Sequence, residues 1–202
     1  LKGIVGTDQT GHLPVILWSG HECVFVKCDM DTGHICGVPV KSQSAMELVR
    51  ACNEAHNMLV KCGFEPILHG INNETSETLI DAIEKKQLDH ETMPKANHRR
   101  NPAERAIQTY KSHFISILNV VDDYYQEGAW DHLIPQTNMT VNMFQECNIN
   151  PAHSAYSFIH GAFDFSTHPL APLGCRAVIH EQSIGNGGTR GSWGNRGRGG
   201  YY

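Results

Sequence analysis

Thr7-Asp8-Gln9-Thr10-Gly11 is the stretch on which the fold turns. Residues 2–9 read as a strand, and Gly11-His12-Leu13-Pro14 breaks it, so Asp8 stands near the strand's end. Two further patches match it in chemistry. Ile71-Asn72-Asn73-Glu74 follows a short apolar run over residues 66–71, and Asn101-Pro102-Ala103-Glu104-Arg105 opens a helix. Read as strand, strand and helix, the three bring oxygen-bearing side chains together at one end of a sheet.

The segments between them fix the fold class. Residues 23–28 form a second strand, Asp31-Thr32-Gly33 a hairpin turn, and residues 34–40 a third strand. Ser44 caps a helix that reaches about Cys62, with Ala45, Leu48, Val49, Cys52 and Leu59 at near-helical spacing and Gly63 as its stop. Thr75 or Ser76 opens a second helix through Ile80 and Ile83 to Lys86, and residues 88–93 make a fifth strand. A long helix is predicted from Pro102 to about Tyr124, and another over residues 130–145. Three strands in a meander followed by strands alternating with helices predict an α/β fold, a five-stranded mixed sheet flanked by helices. Residues 148–182 are less regular, with a strand expected at 176–180; the Gly/Arg-rich stretch 185–202 is not expected to fold by itself.

The 202 residues suit one domain with appendages. No apolar run reaches the roughly 18 residues that would span a bilayer, and no signal peptide opens the chain. It begins at Leu1, already entering a strand, as a fragment of a longer polypeptide would. Seven scattered cysteines without a CxxC pair fit an intracellular protein with reduced thiols. His21, Cys23, Cys28, His34 and Cys36 raise a zinc site, but strand alternation puts Cys23 and Cys28 on opposite faces, and packing thiols are the better reading. Asn73-Glu74-Thr75 and Asn138-Met139-Thr140 match the glycosylation pattern, which carries no meaning without secretion.

The net charge of −5 argues against a polyanionic partner until its distribution is read. Residues 74–91 are acidic, whereas residues 95–111 hold Lys95, Arg99, Arg100, Arg105 and Lys111 against Glu104 alone. A polyanion feels the field within about 10 Å rather than the total. Asn101, Gln108 and Lys111 lie three before, four after and seven after Glu104, sharing one helix face. Lys95, Arg99 and Arg100 stand in the preceding loop, free to meet phosphates.

Carboxylates from separate elements are what two-metal phosphoryl transfer requires, because two divalent ions roughly 3.5–4 Å apart must share ligands. Mg²⁺ prefers hard oxygens and takes few from the protein. In order and surroundings, Thr7-Asp8-Gln9-Thr10-Gly11-His12-Leu13-Pro14, the Asn72-Asn73-Glu74 segment and Asn101-Pro102-Ala103-Glu104-Arg105 resemble the three catalytic blocks of retrotransposon and retroviral integrases, copia-type in particular. Ile149-Asn150-Pro151-Ala152 through Leu173-Gly174-Cys175-Arg176-Ala177-Val178-Ile179-His180 resembles the segment that follows the core in copia-type polyproteins.

That resemblance implies a ribonuclease H-like catalytic core over residues 1–146, a post-core extension over 147–184, and the start of a truncated next module over 185–202. A zinc-binding domain would precede Leu1. It also implies Mg²⁺- or Mn²⁺-dependent DNA 3′-end processing and strand transfer by a homo-oligomer, in the nucleus when chromosomal DNA is the target. Asp8 would bridge both metals, position 72 would hold one, and Glu104 the other. Lys95, Arg99, Arg100, Arg105, Gln108 and Lys111 would hold DNA. Two departures stand out. Residues 73–103 make a shorter interval than the family pattern, and Asn72 occupies a position where the family has aspartate. An amide oxygen reaches a metal without supplying negative charge, so Asn72 is expected to cripple catalysis.

Singly, each residue has an ordinary explanation. Asp8 before Gly11 suits an Asx-turn, and Glu104 after Pro102 suits a helix N-terminus. The ordered set favours the site. A non-catalytic nucleic-acid-binding relic of an integrase is the alternative, and a host ribonuclease H-like nuclease the weaker third reading.

Overall fold

The computed structural model describes residues 2–13, 17–72, 77–85, 89–93, 102–172, 174–180 and 197–202. The chain runs β1 (Ile4–Gln9), β2 (Cys23–Asp29), β3 (Ile35–Val40), α1 (Ala45–Lys61), β4 (Leu68–Asn72), α2 (Glu77–Glu84), β5 (Asp89–Met93) and α3 (Pro102–Leu118). A 3-10 turn (Glu127–Leu133), α4 (Ile134–Phe144), α5 (Ala155–His160), β6 (Arg176–His180) and β7 (Gly197–Tyr201) follow. The main sheet has the order β3-β2-β1-β4-β5. β1, β2 and β3 form the antiparallel meander, and β4 and β5 add in parallel. This is the mixed five-stranded sheet expected from the sequence.

β2 is buried along its whole length because both of its faces are covered. Cys23 and Phe25 join Cys36, Val38 and Val40 under Ala51, Cys52 and Ala55 of α1 and Leu79 and Ile83 of α2. Val24, Val26 and Cys28 face the other way, against Ala106, Ile107, Tyr110 and Phe114 of α3 and Val141 of α4. The period of two in the strand thus feeds two cores, one on each side of the sheet. It also separates Cys23 from Cys28, as packing thiols require. Burial pushes the thiols of Cys28 and Cys36 up to about 12, so both stay protonated.

Ser44 accepts a hydrogen bond from the backbone N–H of Glu47 and caps α1, and Gly63 follows its end with φ at 84°. β3 is the sheet's edge, and α4 closes it with two asparagines one turn apart. Asn138 accepts from the Gly37 N–H and donates to its carbonyl, both at 2.8 Å; Asn142 does the same for Ile35 at 2.8 and 2.7 Å. Each side-chain amide stands in for a neighbouring strand, satisfying groups that an open edge leaves unpaired. Asn142 is fully buried. Asn142→Ala leaves a buried N–H and carbonyl without partners and should lower stability by about 2 kcal/mol, read as a shift in the denaturant midpoint at unchanged slope.

Three expectations need correction. The long helix ends at Leu118 rather than near Tyr124: Asn119 and Val120 close its last turn, and the Tyr124 N–H bonds Asp122 Oδ1 in a local turn. The helix expected over 130–145 is a 3-10 turn followed by α4, divided where Pro135 supplies the first turn. Within the post-core segment, α5 has no counterpart among the expected elements; Ser154 and Ser157 form a capping box at its start. Residues 197–201, in the stretch not expected to fold by itself, have a partner: they pair antiparallel with β6, and Tyr201 packs edge-on against Tyr125 with ring centroids 5.5 Å apart. Among the described residues, no helix is long and apolar enough to cross a membrane.

Candidate active site

β1 supplies Asp8, and its placement follows from register. In β1, Gly6 pairs with Cys28 and Asp8 with Val26. Cys28 and Val26 both point into the core under α3, so Gly6 and Asp8 share that face. Gly6 is what brings the helix in. A Cβ added there would lie 3.0 Å from the Ala103 Cβ and 2.6 Å from the Met30 Cε. The first turn of α3 therefore sits directly on β1 at Gly6, and Glu104 is the next residue of that turn. Glu104 is half-buried. Asp8 is also half-buried, and its Oδ1 accepts the Gln9 N–H at 2.8 Å.

β4 brings the third position. Ile4, Val5 and Gly6 pair in parallel with Leu68, His69 and Gly70. The pairing stops at Gly6 and Gly70, and each strand runs on from there, β1 to Gln9 and β4 to Asn72. A glycine inside a strand pattern is the signal that marks a close approach such as that of α3, and Gly6 is the residue that the sequence reading left out.

Thr7 and His69 reinforce the same strand pair from behind. On the opposite face from Asp8, Thr7 Oγ1 and His69 Nε2 share a buried hydrogen bond of 2.9 Å between β1 and β4. Lys27, cross-strand from Thr7, is buried in the same layer. Burial first, then the charges of Lys27, His56 and His90, hold the His69 imidazole neutral, its pKa lowered to about 3. Burial and His160 lower His34 to about 4. In the unfolded chain both take a proton near pH 6.5. Stability is therefore intact at neutral pH and falls as pH drops through about 6.5, because the unfolded state then binds protons that the folded one refuses. The loss per histidine approaches about 1.4 kcal/mol per pH unit and levels off near the folded values. Urea titrations between pH 7 and 5 should show it, and His69→Gln should make the slope shallower.

The supporting residues divide between two flanks of α3. Gln108 and Lys111 are exposed on the strip that begins at Glu104, as expected. Arg105 is on the other flank, lining a cavity of about 370 Å³ with Cys28, Met30, Thr109, Gln145 and Asn148. Lys95, Arg99, Arg100 and Asn101 lie outside the described residues.

The oxygen donors, one acid from a strand and one from the helix packed on it, suit a hard cation such as Mg²⁺. The amide at position 72 suits it less. Among the described residues no group of three histidine, cysteine or carboxylate side chains is placed to hold a metal.

Solved structures with this architecture exist. The catalytic core domain of HTLV-2 integrase in complex with magnesium, in its trimeric form, matches with a TM-score of 0.58 at 17% identity, over 79% of this chain and 97% of that one. The dimeric form of the same core gives 0.57 at 16% identity, with the same coverage. The catalytic core domain of BIV integrase gives 0.56 at 11% identity, over 79% of this chain and 94% of that one. The fold is that of a retroviral integrase core. It is the ribonuclease H-like arrangement expected from the three patches. No family model matches the sequence, and no curated protein does. At these identities the integrase cores establish the fold, and the chemistry rests on the side chains.

Proposed function

We propose that the chain is the core of a retroelement integrase, built for Mg²⁺- or Mn²⁺-dependent DNA 3′-end processing and strand transfer and weakened by Asn72. The observation that carries this reading is the contact of Ala103 with Gly6, which stacks the turn bearing Glu104 on the strand face bearing Asp8. The integrase-core fold supports it, as does magnesium in one of the matched cores. The copia-type resemblance of the sequence blocks supplies the retroelement assignment.

Asp8 and Glu104 would hold the metal, with the Asn72 amide as a weak third donor. When bound, a divalent ion at such a site neutralises charge on the phosphate and activates the attacking hydroxyl. Water serves as nucleophile in end processing and a DNA 3′-hydroxyl in strand transfer; no protein nucleophile is needed. Gln108 and Lys111 lie along the strip leading from Glu104 and guide the DNA backbone by hydrogen bonding and charge. DNA ends and target DNA are the partners, a homo-oligomer the working form, and the nucleus the place of action on chromosomal DNA.

Asn72 itself favours a second reading, a nucleic-acid binder that keeps the fold without the reaction. Metal dependence separates the two. A strand-transfer assay with the element's own DNA ends should give product with Mn²⁺ and none with EDTA if the chain is an enzyme. Salt-sensitive DNA binding that ignores both, with no product, identifies the binder.

A further inference from the structure

Two halves of the sheet meet where β1 and β4 pair, and that pairing ends short of the acidic residues. It covers Ile4 to Gly6 against Leu68 to Gly70. Asp8 lies two residues beyond it on one strand and Asn72 two residues beyond it on the other. Past that point each strand is held by its outer neighbour. β1 stays paired with β2, with Asp8 opposite Val26 and Gln9 opposite Phe25. β4 stays paired with β5, with Ile71 opposite Thr92 and Asn72 opposite Met93. α3 belongs to the first half, because Ala103 rests on Gly6 while Ala106, Ile107 and Tyr110 pack with Val24, Val26 and Cys28 of β2. Asp8 and Glu104 are therefore carried by one half of the sheet, and position 72 by the other.

Side chains tie the halves together at the point where the backbone pairing gives out. His69 is level with Val5 in the register, and its Nε2 reaches forward to Thr7 Oγ1, 2.9 Å away. Both side chains are buried. The bond thus joins β4 to the residue immediately before Asp8. No water stands ready to replace it, so loss of either partner leaves the other unsatisfied. Without it, strands that share no backbone pairing beyond Gly6 and Gly70 are free to separate. We propose that Thr7 and His69 are positioning residues that set the gap between the Asp8–Glu104 pair and position 72. They face away from Asp8 and act through the strands that carry the ligands, as outer partners of metal sites do. The inference rests on the divalent-cation reading of that site and adds to it the element that fixes its width.

Calorimetric titration of Mn²⁺ into the 202-residue chain carrying Asn72→Asp tests it. Thr7→Val exchanges the hydroxyl for a methyl on the same branched frame. It should weaken Mn²⁺ binding about 10- to 100-fold, the range for outer partners of a metal site. Thr7→Ser keeps the hydroxyl and should retain most of the parent affinity. His69→Leu breaks the tie from the other strand; it should match the loss in Thr7→Val and replaces that variant if it does not fold. Val38→Ala, in the core under α1, also costs stability but should leave Mn²⁺ affinity unchanged. Parent-like affinity in a folded Thr7→Val or His69→Leu chain would overturn the assignment. So would a loss in Thr7→Ser or Val38→Ala as large as that in Thr7→Val, since the tie would then be ordinary packing. An Asn72→Asp parent that binds no Mn²⁺, or binds it equally well after Asp8→Asn, would overturn the cation reading and the positioning inference together.

Discussion

Asn72→Asp is expected to raise Mg²⁺-dependent strand transfer by on the order of 10²- to 10³-fold, the range over which one preorganised electrostatic contact alters a rate. β4 ends at Asn72, two residues past its last pairing with β1, and in the proposed site the substitution adds a charge to those of Asp8 and Glu104. A carboxylate and an amide of nearly equal size fill the same space, which leaves packing unchanged. The gain is therefore electrostatic, and it should appear in metal affinity as well as in rate. Titration of Mn²⁺ by calorimetry should give tighter binding for the variant, with Asp8→Asn abolishing it in either background. Equal activity and equal metal affinity for the parent chain and the Asn72→Asp variant would remove position 72 from the site.

Gly6→Val is the second large effect. A Cβ at Gly6 would meet Ala103 and Met30 well inside contact distance, and Ala103 belongs to the first turn of a helix. Met30 can swing aside; the helix turn has to move. In the Asn72→Asp background, displacement of the turn carrying Glu104 by about 1 Å should cost about 10²-fold in rate, as misplacement of reacting groups does. Overpacking adds about 1–3 kcal/mol of instability. Circular dichroism and thermal unfolding should show a folded protein whose activity loss exceeds what its population of unfolded chains explains. A folded Gly6→Val chain with undiminished activity would mean that the contact between β1 and α3 does not position Glu104.

Much of this was legible in the sequence because local signals and tertiary roles agreed. Ser44 caps the helix that it announces, and the meander of β1 to β3 follows from turns at Asp31-Thr32-Gly33 and alternation in residues 23–28. The two acids of the proposed site emerge from spacing and order. What escaped depends on partners remote in the chain. Asn138 and Asn142 read as ordinary helix-surface amides, and one matches a glycosylation pattern; only the β3 edge, about a hundred positions earlier, shows why they are needed. Arg105 groups with Gln108 and Lys111 by charge, yet one residue is about 100° around a helix, enough to place it over Cys28 instead. The helix past Leu118 looks continuous in sequence, but turns built by Asp122 and the Gly174 carbonyl stop it. Residues 197–201 become a strand through pairing with β6 and the tyrosine contacts that anchor the ribbon.

Convergence of Asp8, position 72 and Glu104 around divalent cations is the central claim. Crystals of the Asn72→Asp chain soaked in Mn²⁺ and measured at the manganese absorption edge test it directly. Anomalous density in contact with the carboxylates of both Asp8 and Glu104 is the predicted result. Manganese bound elsewhere, with those two carboxylates turned to separate solvent faces, would contradict it.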